Sequence, residues 1–143
     1  MNLYAESSAV LAWLLEEARA AQTQQLLASA EIVSCSDLTL IECGRVLIRA
    51  TCLGKLSESE AADRQRQLSA SAHNWNVFPI SAEVVERVRR PFPNEPLRSL
   101  DAIHLASALV ARTIIPHLEL LSLDARLRNS AHGLGFKLQP QLV

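Results

Sequence analysis

The chain has 143 residues, of which 49% are hydrophobic, four are Gly and six are Pro, so its length and composition predict a single globular domain over residues 1–143. The net charge is −1, so the chain lacks the excess of positive charge that is typical of proteins that coat RNA or DNA. No apolar run approaches the roughly 18 residues of a membrane helix, and the acidic N-terminus is unlike a signal peptide, so we expect a cytoplasmic protein with no membrane contact.

Strand and helix signals alternate in the first half of the chain. The predicted elements are, in order, a strand over 2–5, a helix to about 15, a helical stretch to 28, a strand over 32–35 and a helix from 36 to about 53. Ser7 or Ser8 is the expected cap of the first helix. Ser36 caps the last of these helices and Gly54 stops it.

The same alternation continues in the second half. We predict a helix over 57–74, a strand over 75–80, a helix over 81–90, a helix over 100–112, a strand over 118–123, a helix over 124–132 and a short strand over 135–138. Ser57 and Glu60 form a capping box at the first of these helices. The three prolines of residues 91–96 exclude regular structure there, because proline lacks a backbone donor.

This alternation predicts an α/β fold in which a parallel sheet is covered by helices on both faces, giving three layers. In such sheets, ligands bind in the crevice beyond the carboxyl ends of the strands. Residues that carry chemistry should therefore follow strands or begin the next helix.

Four acidic residues occupy such positions. Glu6 and Asp124 directly follow predicted strands, Glu42 lies near the start of a helix, and Asp101 is two residues past Ser99, the expected cap of an apolar helix. Hard divalent cations such as Mg²⁺ take oxygen ligands, and carboxylates gathered without a cation would repel one another. The four acids are therefore candidates for a metal-binding catalytic pocket.

Each acid also has a structural explanation that the residues leave open. Glu6, Asp101 and Asp124 could cap or stabilise the N-termini of helices. Glu42 shares one helical stripe with Arg45 and Arg49, so an exposed ion pair would account for it without chemistry. His104, three residues after Asp101, fits a buried core histidine better than a ligand of Mg²⁺, which prefers oxygen.

Four segments stand out as motifs: Leu3-Tyr4-Ala5-Glu6-Ser7-Ser8-Ala9-Val10, Ser36-Asp37-Leu38-Thr39-Leu40-Ile41-Glu42, Leu97-Arg98-Ser99-Leu100-Asp101-Ala102-Ile103-His104-Leu105-Ala106 and Leu120-Leu121-Ser122-Leu123-Asp124-Ala125-Arg126-Leu127. In this order they resemble the motifs of PIN-domain proteins, especially the VapC-type toxins of bacterial toxin–antitoxin pairs. The third segment is the most specific, and the resemblance runs over essentially the whole chain.

The resemblance implies a sheet of four or five parallel strands and an endoribonuclease whose acidic pocket binds Mg²⁺ or Mn²⁺. It also implies a cognate antitoxin and a toxin homodimer. The family's acidic roles map, by position, onto Glu6, Glu42, Asp101 and Asp124. The hypothesis for the metal ligands is Glu6, Asp101 and Asp124, with Glu42 completing the shell or orienting water. Ser8 and Ser122 take the places of small hydroxyl residues that support the pocket.

One departure concerns the first acid, which is usually Asp in the family and is Glu6 here. The additional methylene extends its reach by roughly 1.5 Å, the length of one C–C bond. Either the pocket is built for Glu, or its metal affinity and activity are reduced. The alternative function is therefore a catalytically weak or inactive interaction module that binds an antitoxin-type partner. Arg98, Arg126 and Arg128 are candidates for contacts with RNA phosphates, because guanidinium groups grip phosphate; solvated surface arginines are the alternative.

Overall fold

A five-stranded parallel sheet forms the centre of the fold. The computed structural model describes residues 1–142. The strands are β1 (Asn2–Ala5), β2 (Ile32–Ser36), β3 (Asn76–Phe78), β4 (Leu118–Leu121) and β5 (Leu138–Gln139). Their order across the sheet is β3-β2-β1-β4-β5, and every neighbouring pair is parallel. The predicted α/β class is confirmed, with five strands.

Helices connect the strands and cover the sheet. They are α1 (Ser7–Leu14), α2 (Ala20–Ser29), α3 (Asp37–Cys52), α4 (Glu58–Ala72), α5 (Ala82–Val88), α6 (Ser99–Ile114) and α7 (Ala125–Gly133). Among the helices within residues 1–142, none has the length and hydropathy that crossing a membrane would require.

The two faces of the sheet pack into separate hydrophobic clusters. Successive residues of a strand point to opposite faces, so Leu3 joins the cluster on the α1 side while Tyr4 joins the cluster around α6. Leu121 and Leu120 divide between the same two clusters on β4. All four are fully buried, which explains why these strands are continuously apolar rather than alternating.

Helix caps predicted from the sequence are present at three helices, including Ser81 at the start of α5. The Ser36 hydroxyl accepts a hydrogen bond from the Leu38 amide (3.0 Å) at the start of α3. Ser57 and Glu60 form both hydrogen bonds of the capping box at α4. These caps depend on residues two or three positions apart in the chain, so they can be predicted without knowledge of tertiary contacts.

Other predicted boundaries are wrong. The last strand was expected over 135–138 but begins at Leu138, because Gly135 and Phe136 complete the C-terminus of α7 instead. Their amides donate to the carbonyls of His132 and Ala131, both at 3.0 Å, and Gly135 has φ +86°. This is a Schellman motif, in which glycine takes the left-handed conformation.

The proline segment 91–96 has no helix or strand, as predicted, and it packs against α7. The Asn94 side-chain amide donates to the Asn129 carbonyl (2.9 Å). A Cβ atom placed on Gly133 would lie 2.6 Å from Cβ of Pro93, so only glycine permits this close approach. The segment then leads directly into α6, which carries Asp101.

Candidate active site

The four acids lie at or near the carboxyl edge of the sheet. Glu6 follows β1 and is the N-cap of α1, where its Oε1 accepts from the Ser8 amide (3.1 Å). The sequence placed this cap at Ser7 or Ser8, which is wrong. Glu42 lies in the second turn of α3, Asp101 in the first turn of α6, and Asp124 immediately before α7.

Glu6 is almost fully buried, with 5% of its surface exposed, and two hydroxyls hold it. Its Oε2 accepts from the hydroxyls of Ser8 and Ser122, the latter at 2.8 Å. A carboxylate has about four acceptor positions, so after these bonds and the Ser8 amide one position remains, on Oε1. The two serines that the resemblance implies as supports therefore both contact the first acid.

Ser122 also connects Glu6 with Asp124. Its hydroxyl accepts from the Asp124 amide (3.1 Å) while it donates to Glu6. The strand β4 ends at Leu121, so Asp124 does not directly follow the strand as expected; Ser122 and Leu123 lie in between. Asp124 is the N-cap of α7, where its Oδ1 accepts from the Leu127 amide (2.9 Å), and its Oδ2 has no hydrogen bond within residues 1–142.

Asp101 has a carboxylate with no hydrogen-bond partner within residues 1–142, although its side chain is partly buried. Burial raises its pKa, and the charges of Asp124 and Glu42 raise it further, against the opposing charges of Arg98 and His104. Asp101 therefore lies within electrostatic reach of both other acids. Ser99 is not the N-cap of α6 as expected: Arg98 takes that position without a side-chain bond, which makes Asp101 the third residue of the helix.

Glu42 belongs to a hydrogen-bonded group that joins α1, α3 and α6. Its Oε1 accepts from the Ser7 hydroxyl (2.7 Å) and lies 2.6 Å from Nε2 of His104. Nδ1 of His104 lies 3.1 Å from the Tyr4 hydroxyl. Burial raises the pKa of Tyr4 well above its ordinary value, so the phenol keeps its proton. The ionised Glu42 carboxylate can only accept, so Nε2 of His104 carries a hydrogen and donates it to Glu42.

This group changes the interpretation of Glu42. Burial acts to raise the pKa of Glu42, but the hydrogen bonds from His104 and Ser7 and the charge of His104 outweigh it, and the pKa is lowered. Within residues 1–142, Glu42 forms no ion pair with Arg45, so the exposed pair considered from the sequence is not present. His104 is buried and satisfied, as expected, yet its partner is one of the four acids. The contact between His104 and Glu42 could not be recognised from the sequence, because the two residues are 62 positions apart.

The three candidate arginines differ in their positions. Arg128 is 9% exposed and donates to three carbonyl oxygens, those of Ser122 (2.7 Å), Gln139 (3.0 Å) and Pro140 (2.9 Å). Its expected role in contacting RNA phosphate is therefore corrected: the guanidinium is committed to the backbone. Arg98 and Arg126 are exposed and remain candidates.

Comparison with known proteins identifies the family. The family model described as PIN domain matches residues 3–133, which is most of the chain. The chain belongs to the PIN-domain family. The match includes all four acids and the four side chains that hold Glu6 and Glu42, those of Ser7, Ser8, His104 and Ser122.

The PIN domain is similar in part of its sequence to a ribonuclease, and similar in fold to toxins of known structure. The chain is 44% identical over 57 residues to ribonuclease VapC35 of Mycobacterium tuberculosis, and this match spans 40% of the chain and 42% of that protein. Its fold is similar to that of VapC20 of Mycobacterium tuberculosis, described as a Sarcin-Ricin loop cleaving toxin, with TM-score 0.64, 17% identity and coverage of 94% and 96% of the two chains. A toxin–antitoxin complex from Klebsiella pneumoniae gives TM-score 0.64 with 21% identity and full coverage of both chains.

The donors of this PIN domain suit a hard divalent cation, although they do not form a closed cage. Within residues 1–142, no three His, Cys, Asp or Glu side chains converge closely enough to form a ready-made metal site. Within the same residues, Asp101 nevertheless has two oxygens without hydrogen bonds, and Asp124, whose charge acts on Asp101, has one in Oδ2. Mg²⁺ is usually held by one or two carboxylates together with water and substrate phosphate, so these two acids fit such an ion.

Proposed function

We propose that this chain is a metal-dependent endoribonuclease, using Mg²⁺ or Mn²⁺, and the toxin of a type II toxin–antitoxin pair. The observation that carries the proposal is the position of two acids near the carboxyl edge of a PIN-domain sheet: Asp101, with no hydrogen bond to its carboxylate within residues 1–142, in the first turn of α6, and Asp124 as the N-cap of α7. The 44% identity with ribonuclease VapC35 over part of the chain supports RNA as the substrate.

Asp101 and Asp124 would hold the cation, and the remaining acceptor position of Glu6 would complete the protein's ligands. The cation would supply positive charge that activates water for attack and stabilises the charge developing on the phosphate oxygens. Ser8 and Ser122 keep Glu6 in one orientation, so its longer side chain is fixed rather than free. The added reach relative to Asp is absorbed by this pair of hydroxyl contacts.

Glu42 would orient the attacking water through its Oε2, which has no hydrogen bond within residues 1–142. A carboxylate with a lowered pKa is a weak proton acceptor, since efficient general bases have a pKa near the working pH. We therefore assign Glu42 an orienting role in preference to that of the base. Arg98, whose charge already acts on Asp101, and Arg126 would contact phosphates of the RNA.

The proposed protein partners are a cognate antitoxin and a second copy of the chain. The proposed location is the cytoplasm, where the RNA substrate is found. Similar folds are found in the Klebsiella pneumoniae toxin–antitoxin complex and in VapBC2 from Rickettsia felis bound to a DNA fragment from its promoter. Those assemblies support an antitoxin partner of the same class here.

The test is cleavage of RNA by the purified chain without a partner, with Mg²⁺ or Mn²⁺ and with excess EDTA. We expect cleavage only with the metal, and a loss of at least about 100-fold in the Asp101→Asn variant with the fold retained. Asp63→Asn, an exposed aspartate on α4, is the matched control and should cleave at the parent rate. Undiminished cleavage in EDTA, or by folded Asp101→Asn, contradicts the proposal.

The second candidate is a catalytically weak or inactive interaction module that binds an antitoxin-type partner. Two observations favour it: Glu6 has most of its acceptor positions occupied, and no three potential ligands converge within residues 1–142. In that case the chain would bind its partner but leave RNA intact at every metal concentration tested.

A further inference from the structure

A groove of about 640 Å³ extends from the candidate active site along helix α3. One end reaches Glu42, and the start of α6 forms part of the wall through Leu100. Arg45 and Arg49 of α3 line the groove beyond Glu42. Of the four acids Glu42 lines the groove, and Leu100 is the neighbour of Asp101 in the chain, so the groove adjoins the candidate active site.

The two arginines are free to bind an anion. Both are exposed, and within residues 1–142 neither guanidinium has an ion-pair or hydrogen-bond partner. Glu42, the nearest acid on the same stripe, is held by Ser7 and His104 instead. With a rise of 1.5 Å per residue, Arg45 and Arg49 lie about 4.5 Å and 10.5 Å along the helix axis from Glu42. Two positive charges therefore lie along α3 beyond Glu42, at increasing distance from the candidate active site.

Apolar side chains make up much of the remaining wall. Ile41, Ile48 and Leu100 are 55%, 51% and 47% exposed, an unusual grouping for a surface that also carries arginines. Single-stranded nucleic acid offers both complements, since its phosphates are anionic and its unpaired bases present flat apolar faces. Because the chain as a whole has a net charge of −1, this attraction is local to the groove.

We propose that the groove binds the single-stranded segment of RNA next to the bond that is cut. Arg45 and Arg49 contact successive backbone phosphates, and Ile41, Ile48 and Leu100 receive bases. This inference rests on the proposed function, because it places the cleaved phosphodiester at Asp101 and Asp124. The unpaired guanidinium groups favour an anionic strand over an apolar protein segment, for which the two charges would have to be desolvated without partners.

The experiment measures binding of a labelled oligouridylate of about 12 nucleotides, within the range that single-strand binding grooves cover. Asp101→Asn protein in EDTA prevents cleavage, and affinity is followed across a series of monovalent salt concentrations. Arg45→Gln and Arg49→Gln should each weaken binding by about five-fold and lower the slope of log affinity against log salt by about 0.7. Arg45→Lys and Arg49→Lys, which keep the charge, should retain most of the slope.

Lys137→Gln is the matched control, because it removes one positive charge beside the amino end of β5, at the opposite edge of the sheet. It should leave both affinity and slope unchanged. Circular dichroism and thermal unfolding check that the arginine variants fold, as expected for exposed substitutions.

The outcomes separate this inference from the proposed function. If the parent cuts RNA but Arg45→Gln and Arg49→Gln bind the oligonucleotide with unchanged affinity and slope, the groove does not bind RNA and the proposed function stands. If those variants lose a co-expressed protein partner while RNA binding is unchanged, the groove is a protein interface and the inference is overturned. If the parent neither binds nor cuts RNA, both proposals fail.

Discussion

Nε2 of His104 lies 2.6 Å from Oε1 of Glu42, and this contact joins α6 to α3 beneath the carboxyl edge of the sheet. His104 is 1% exposed, so the contact is shielded from competing water. Ser7 reaches the same oxygen from α1. One oxygen of Glu42 is therefore held by two other helices, while the other remains open to the site.

The His104 contact can be tested with two amide substitutions. Glutamine can place a donor near the position of Nε2, whereas asparagine can reach only the position of Nδ1. We expect His104→Gln to keep more RNA cleavage than His104→Asn, although both lose about 1–3 kcal/mol of stability because a buried polar group loses a partner. The readouts are kcat and KM together with unfolding in urea. Equal loss of kcat in both variants would show that the contact has only a structural role.

The lowered pKa of Glu42 predicts how stability depends on pH. A carboxyl group whose pKa is lower in the folded chain stabilises the fold above its unfolded pKa, about 4.3, and loses that contribution as the pH falls through the folded value. The difference in unfolding free energy between the parent and Glu42→Gln should be largest near neutral pH and shrink below about pH 4. Urea unfolding at a series of pH values measures it, with exposed Glu83→Gln as control. A difference that does not vary with pH contradicts the assigned interaction.

Ser122 is expected to matter for catalysis beyond its effect on stability. Ser122→Ala removes the donor to Glu6 and leaves the Asp124 amide without its acceptor, so both acids lose a constraint. We expect a 10- to 100-fold lower cleavage rate, about the effect of losing an outer-shell partner of a metal site. Ser34→Ala is the control: Ser34 is equally buried but donates to the Leu3 carbonyl, not to a carboxylate. If both variants lower cleavage equally, Ser122 has no special role.

Arg128 should contribute to stability and not to RNA affinity. Arg128→Met leaves three carbonyl oxygens without their charged donor, which we expect to cost about 3 kcal/mol. Arg126→Met, two residues earlier on the exposed side of α7, should change stability by less than about 0.5 kcal/mol. Unfolding in urea gives the stability, and binding of RNA to the folded variants gives the affinity. Reduced RNA affinity in a fully folded Arg128→Met variant would return the residue to the binding surface.

Much of the fold could be predicted because its signals are local. The caps at Ser36 and Ser57 depend on residues two or three positions away, and the alternation of strands and helices determines the class of sheet. The placement of the acids near strand ends then follows from the parallel arrangement. The first helix begins one or two residues earlier than predicted, because Glu6, a member of the acidic site, is also its N-cap.

The remaining features depend on contacts between distant segments. Arg128 reads as a surface residue of a short helix, and only the carbonyls of Gln139 and Pro140 passing beside it explain its burial. His104 likewise finds Glu42 only when α3 and α6 pack together. Local propensity carries no information about such partners, so the sequence could nominate the acids but not the residues that hold them.

Gly133 gives these relationships a wider consequence. Its missing side chain lets Pro93 pack against α7, and the proline segment leads towards the helix that bears Asp101, while Asp124 is the N-cap of α7. The absence of a side chain at position 133 thus sets the distance between the proline segment that precedes α6 and the helix α7, and these two elements carry Asp101 and Asp124. A methyl group there would push Pro93 and α7 apart, so Gly133→Ala would lower activity although Gly133 takes no part in the reaction itself.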